Sequence, residues 1–145
     1  MSAHTAPPQP ASPDLSEAQW RLPHGPRSAG QARALLRAQL ADWKVTDDTA
    51  ETAELLLSEL MSNAIRHART PTGRQIGVRI AQYDGRLRVE VADANSARPE
   101  PQKADTDDEQ GRGLAIIHAL ATRWGCCPRL HGIGKATWAE VSLFQ

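Results

Sequence analysis

The chain has 145 residues, 40% of them hydrophobic, enough for one domain with a core and too few for two. Its 17 lysines and arginines balance 17 aspartates and glutamates, which argues against a general basic field for nucleic acid or anionic lipid, so any charged ligand must be met locally. No run approaches the roughly 18 apolar residues that span a bilayer, and no basic-then-apolar signal pattern opens the chain; a cytoplasmic protein without membrane contact is expected.

The opening stretch "MSAHTAPPQPASPDLSEAQWRLP" is rich in proline, serine and alanine and poor in large apolar residues. A disordered tail is expected over 1–19, with the domain over 20–145. "PRSAGQARALLRAQLADW" then carries Ala32, Leu35, Leu36, Gln39, Leu40 and Trp43 at helical spacing, which predicts a first helix. A second follows in "TDDTAETAELLLSELMSNAIRHA", opened by the N-cap candidates Thr46 and Asp47. On it Ala53, Leu57, Leu60, Met61, Ala64, Ile65 and Ala68 share the face expected to lie on a sheet. Leu56, Glu59, Asn63 and His67 form a separate stripe to one side.

"RQIGVRIAQYDGRLRVEVADA" alternates through Ile76, Val78 and Ile80, turns at Asp84-Gly85, and alternates again through Leu87, Val89 and Val91, the pattern of a hairpin. Asp93 is in phase with the last three, so it falls on the inner face where the strand ends, and an aspartate there needs a hydrogen-bonding partner. Residues 94–110 are polar, proline-bearing and acidic, longer than most internal connections. "GRGLAIIHALATRWG" opens with two glycines and continues as an apolar helix expected to end near Gly125. "CCPRL", a turn at "HGIG" and "KATWAEVSLF" predict a second hairpin with Thr137, Ala139, Val141 and Leu143 on one face. The cysteines, Cys126 and Cys127, are adjacent, poor geometry for a structural disulfide and too few ligands for zinc. They read as reduced residues in a short strand, with redox sensing as the alternative. The order of elements implies an α+β two-layer sandwich, an antiparallel or mixed sheet with helices on one side.

The polar residues in unusual places are Glu59, Asn63, Asp93, the "GRG" of 111–113 and Thr137, and each has a role if the ligand is a nucleotide with magnesium. Asn63 offers a neutral oxygen to a hard cation that takes its other ligands from phosphate and water. Glu59, one turn earlier, can take a proton from an attacking hydroxyl. Taken alone, the two also read as a helix-surface amide and a solvated carboxylate. Asp93 can accept a hydrogen bond from the exocyclic amine of adenine, or simply terminate a strand. Thr137 can support Asp93 or a bridging water. Gly111 and Gly113 permit close backbone approach, and the helix after them turns free N–H groups toward an anion, although G-x-G alone is often only a turn. Arg112 reads as a phosphate contact or an exposed side chain. His67 shares the stripe; a phospho-acceptor reading needs an exposed helix presented to a kinase domain, for which this chain lacks the length.

In combination these motifs resemble the ATP-binding domain of the gyrase, Hsp90, histidine kinase and MutL superfamily, the Bergerat fold, and more narrowly the bacterial anti-sigma-factor serine/threonine kinases. The resemblance covers residues 20–144. "SELMSNAIRHA" matches the N-box, with Glu59 as base and Asn63 as magnesium ligand; "VEVADANS" matches the first glycine box, with Asp93 reading adenine; "GRGLAII" matches the second glycine box; "GKATWAEV" matches the last motif, with Thr137 near the adenine. The resemblance implies a mixed, mostly antiparallel sheet with helices on one face. It also implies ATP and Mg2+ as cofactors, Glu59 as catalytic residue, and nucleotide contacts from Asn63, His67, Asp93, Asn95, Gly111, Arg112, Gly113, Leu114 and Thr137.

The function it implies is a protein kinase of transcription regulation, an anti-sigma factor that phosphorylates a serine or threonine on an anti-anti-sigma (STAS-type) partner and binds a sigma factor, with no direct nucleic-acid contact. It allows a homodimer. A module that sequesters its partner without phosphoryl transfer is the alternative, and the detached catalytic part of a histidine kinase a third. One departure bears on the choice. Where the first box often reads D-x-G-x-G, this chain has "DANSARP"; Asn95 tolerates left-handed backbone angles, but Ala97 removes a flexible hinge.

Overall fold

The computed structural model describes residues 15–45, 47–67, 75–93, 115–117, 119–128 and 135–143. The elements run β1 (Ser16–Pro23), α1 (Ser28–Asp42), α2 (Asp47–His67), β2 (Gln75–Tyr83), β3 (Arg86–Asp93), β4 (Arg123–Pro128) and β5 (Lys135–Ser142). Residues 115–117 and 119–120 are also helical.

The hairpin forms because its turn residues suit a two-residue loop. Asp84 and Gly85 take φ of 50° and 71°, the double positive φ that matches the strand twist, and Tyr83 pairs directly with Arg86. Leu143 N–H donates to the Gly85 carbonyl at 2.8 Å and ties the chain after β5 to the same turn. The strands are ordered β1-β2-β3-β5-β4, and each neighbouring pair is antiparallel.

One face of this sheet is covered by helices. Val78 lies opposite Trp20 and Val91, Ile80 opposite Ala18 and Val89, and Ala139 opposite Val89 and Trp124. Against them α2 lies over β3 and β5, while α1 packs on α2 and β1. Ala32, Leu36 and Leu40 of α1 and Ala53, Leu56, Leu57, Leu60, Met61 and Ala64 of α2 are buried in one core with the strand residues. Helix α1 closes with a Schellman motif. Val45 N–H reaches the Leu40 carbonyl at 2.8 Å and Lys44 N–H the Ala41 carbonyl at 3.1 Å, with Lys44 in the left-handed region at φ 61°.

Three expectations change. Residues 16–19, expected in the tail, belong to the edge strand β1. The inner positions of β1 are Ser16, Ala18, Trp20 and Leu22, and the first two are too small to give an apolar alternation. The helix expected to reach Gly125 ends by Leu120: Ala121 N–H closes on the Ile117 carbonyl at 2.9 Å, Thr122 N–H turns to Glu140 at 2.8 Å, and Arg123 already starts β4. The "TRWG" segment carries β-favouring residues that pair with β5, so strand contacts override the helical periodicity. Finally, β1 raises the expected four strands to five.

Candidate functional site

Glu59 and Asn63 lie one turn apart on α2. Their stripe begins at Leu56, which is 1% exposed, so it runs along the rim of the core; both polar residues are half-buried. Among the described residues neither has a hydrogen-bond or ion-pair partner. That contrasts with the polar groups nearer the start of α2. Glu54 pairs with Arg37 at 2.7 Å, and the Ser58 hydroxyl donates to the Glu54 carbonyl at 2.9 Å and accepts from Arg33 at 3.5 Å. A half-buried amide and carboxylate whose side chains have no partner among the described residues are unusual for a helix packed on a core.

The sheet brings two further residues to one end. Asp93 is the last residue of β3 and stands opposite Lys135, the first of β5; two residues along, Val91 stands opposite Thr137. The register therefore sets Asp93 and Thr137 at one end of adjacent strands, with Thr137 on the helix-covered side. The same end of the ladder holds the start of β2, since Gly77 pairs with Ala92, and residues 68–74 connect that strand to the end of α2. The C-terminal half of α2, the end of β3 and the start of β5 are thus the elements that carry the candidate residues.

Thr137 is half-buried, and its hydroxyl contacts Cys126 Sγ at 3.7 Å across the β4–β5 pair, where the two residues are direct partners. The described contact of Thr137 is thus with a free thiol; its expected support of Asp93 or a bridging water involves a side chain outside the described residues. Sequence reasoning had no signal for this pairing, which depends on the register of β4. The side chains of His67 and Asp93 lie outside the described residues, as do Asn95, Gly111, Arg112, Gly113 and Leu114.

A second set of polar residues, on the sheet face away from the helices, went unanticipated. Glu140 is 1% exposed, yet it accepts from the Tyr83 hydroxyl at 2.6 Å and from Arg88 at 3.1 Å. The Arg88 guanidinium also lies 4.2 Å from the centre of the fully buried Trp138 ring. Burial, and then the adjacent Glu140 carboxylate, raise the Tyr83 phenol above its ordinary range. The available signal was the alternate phase of β3 and β5, Arg86-Arg88-Glu90 against Trp138-Glu140, which becomes meaningful once Arg88 is known to face Glu140.

A family model for the histidine kinase-like ATPase domain matches residues 22–128. Among solved structures, the RsbU and RsbW domains of Rv1364c from Mycobacterium tuberculosis superpose with a TM-score of 0.63 at 20% identity. The match covers 88% of this chain and 32% of that one, so the chain spans about a third of the length of that relative, and the likeness is one of fold. No curated protein matches in sequence. None of the described helices is long and apolar enough to cross a membrane.

Proposed function

From the premise that the chain belongs to the histidine kinase-like ATPase domain family, we propose that it binds ATP with magnesium and acts as a serine/threonine kinase and anti-sigma regulator in the cytoplasm. Its proposed phosphoryl acceptor is an anti-anti-sigma partner. The observation that supports this reading is the pair Glu59 and Asn63, half-buried one turn apart, whose side chains have no partner among the described residues.

The residues present fit the ligand. Among the described residues no three histidine, cysteine or carboxylate side chains come together. A magnesium ion here would take a protein ligand from Asn63 and its other ligands from phosphate and water, its common mode in phosphotransfer sites. When bound, it supplies neutralisation of phosphate charge. Asp93, at its strand end, is assigned to reading the adenine amine, with Thr137 beside it. Glu59 holds or accepts the proton of the acceptor hydroxyl and orients that oxygen. Gly111, Arg112, Gly113 and Leu114 are assigned to the phosphates, with His67 and Asn95 flanking.

The test is calorimetric titration with ATP, with and without magnesium, beside GTP and the Asn63→Ala variant. Magnesium-dependent, adenine-selective binding that the variant lacks is the expected result. Unchanged affinity in the variant would remove the argument from the helix pair. A specific observation keeps a second reading, a nucleotide-regulated binding module without transfer: Asn95 and Ala97 stand where the family often has glycine. Under it Glu59→Ala changes nothing that can be measured, whereas under the kinase reading it leaves ATP binding intact and depresses transfer.

A further inference from the structure

The sheet face away from the helices carries an excess of positive charge concentrated at one end. Strand phase assigns Arg21, Arg79, Arg86, Arg88 and Arg123 to this face, against Glu17, Glu90 and Glu140. Toward β1 the charges balance, since Arg79 pairs with Glu17 at 2.6 Å and approaches Glu90 at 4.0 Å. Toward the hairpin turn they do not. Arg88 shares Glu90, at 3.3 Å, and takes one oxygen of Glu140 at 3.1 Å, while Arg86 and Arg123 both approach the other oxygen, at 4.0 and 3.7 Å, with no further carboxylate between them among the described residues. Glu140 is 1% exposed, whereas the Arg86 and Arg123 side chains are 45% and 28% exposed. The carboxylate lies beneath and the two guanidinium groups above it, close enough to engage one acid jointly.

We propose that this arginine end of the open face, built on Arg86 and Arg123, is a docking surface for a carboxylate-rich segment of a partner protein. Neither outer arginine makes a hydrogen bond to Glu140 Oε1, which has no donor at all, so both forks keep N–H groups to offer. Paired guanidinium forks recognise carboxylates in two-point geometry. Complementary charge at a partly exposed rim steers association and selects partners by sign. The Trp138 ring under Arg88, with Arg123 5.8 Å from its centre, stiffens the floor, so less side-chain freedom is lost on docking. The inference stands apart from the nucleotide reading, because none of these residues lies on the helix-covered face.

The test uses the full chain and a fluorescent glutamate-rich peptide, followed by anisotropy at low and moderate salt, with three references. One is the double variant Arg86→Ala/Arg123→Ala. Another is Arg37→Ala, which removes a more exposed charge, 55% against 45% and 28%, from α1. The third is a single-stranded oligonucleotide of the same charge as the peptide. The expected result is salt-sensitive binding of the peptide that falls about tenfold or more in the double variant, is unchanged by Arg37→Ala, and exceeds binding of the oligonucleotide. Thermal melts of the variants check that each remains folded. Equal loss in Arg37→Ala would mean a generic charge effect. Tighter binding of the oligonucleotide would assign the face to nucleic acid, and sedimentation showing a dimer that the double variant dissolves would assign it to a second copy. Any of the three, or no binding of the peptide, overturns the proposal.

Discussion

The two faces of the sheet bury side chains by opposite means. Under the helices, Val78, Ile80, Val89 and Ala139 meet Leu57, Leu60 and Met61 with no polar group among them. On the open face, Trp138 and Glu140 are as thoroughly buried with no described helix over them; Arg88 lies against both and Tyr83 bonds Glu140. The first face gains from area removed from water, which is non-directional and tolerant of repacking. The second depends on directed bonds between particular residues of β2, β3 and β5, so it specifies register more than it adds stability.

That contrast is open to attack in order of effect. Leu57→Ala, at a site with no exposure, should cost about 2–5 kcal/mol in urea unfolding, with little dependence on salt; a smaller loss would mean the helix-covered face is loosely packed. Glu140→Ala should cost about 3 kcal/mol, because the buried Tyr83 hydroxyl loses its acceptor and the buried Arg88 charge keeps only Glu90, at 3.3 Å. If Glu140→Ala were neutral in the same measurement, the open face would be surface decoration and the contrast would fail.

Tyr83→Phe should cost about 1 kcal/mol and alter the alkaline limb of stability. The folded phenol is raised above the ordinary value of 10.0, so the folded state holds its proton longer than the unfolded chain. Its contribution is complete below the unfolded value and is lost as pH rises through the folded one. Tyr83 is the sole tyrosine, so phenolate absorbance reports it alone. Ionisation no later than in a free peptide would contradict the burial. The smallest effect belongs to Glu17→Gln, which breaks a half-exposed pair with Arg79 and should cost about 0.2–1 kcal/mol, shrinking in salt.

The helix-covered face was largely legible because apolar periodicity marks it directly. Leu36, Leu57 and Met61 on the helices and Ile80 and Val89 on the hairpin all lie in the core as their spacing required. Of the candidate site, Glu59 and Asn63 were legible as polar residues on a stripe beside that core, and Asp93 as a strand terminus. What stayed hidden depended on pairing between distant segments. Nothing local in Ser16 to Gln19 marks a strand, Thr137 could not be matched to Cys126, and Arg88 could not be matched to Glu140, until the order of strands was fixed.

The position of β1 has a consequence for how the chain reaches this fold. The hairpin of β2 and β3 closes through two residues, but β1 pairs Ser16 with Gln82 and Leu22 with Ile76, across both helices. Closing so long a loop is slow and repaid only after the intervening segments have folded. The first strand to leave a ribosome is therefore expected to be the last to dock. Until it docks, β2 presents the unpaired backbone of Gln75–Tyr83, with its isoleucines and valine, to any other chain nearby. Amide exchange along β2 on its β1 side should reveal this opening at a free energy below that of global unfolding.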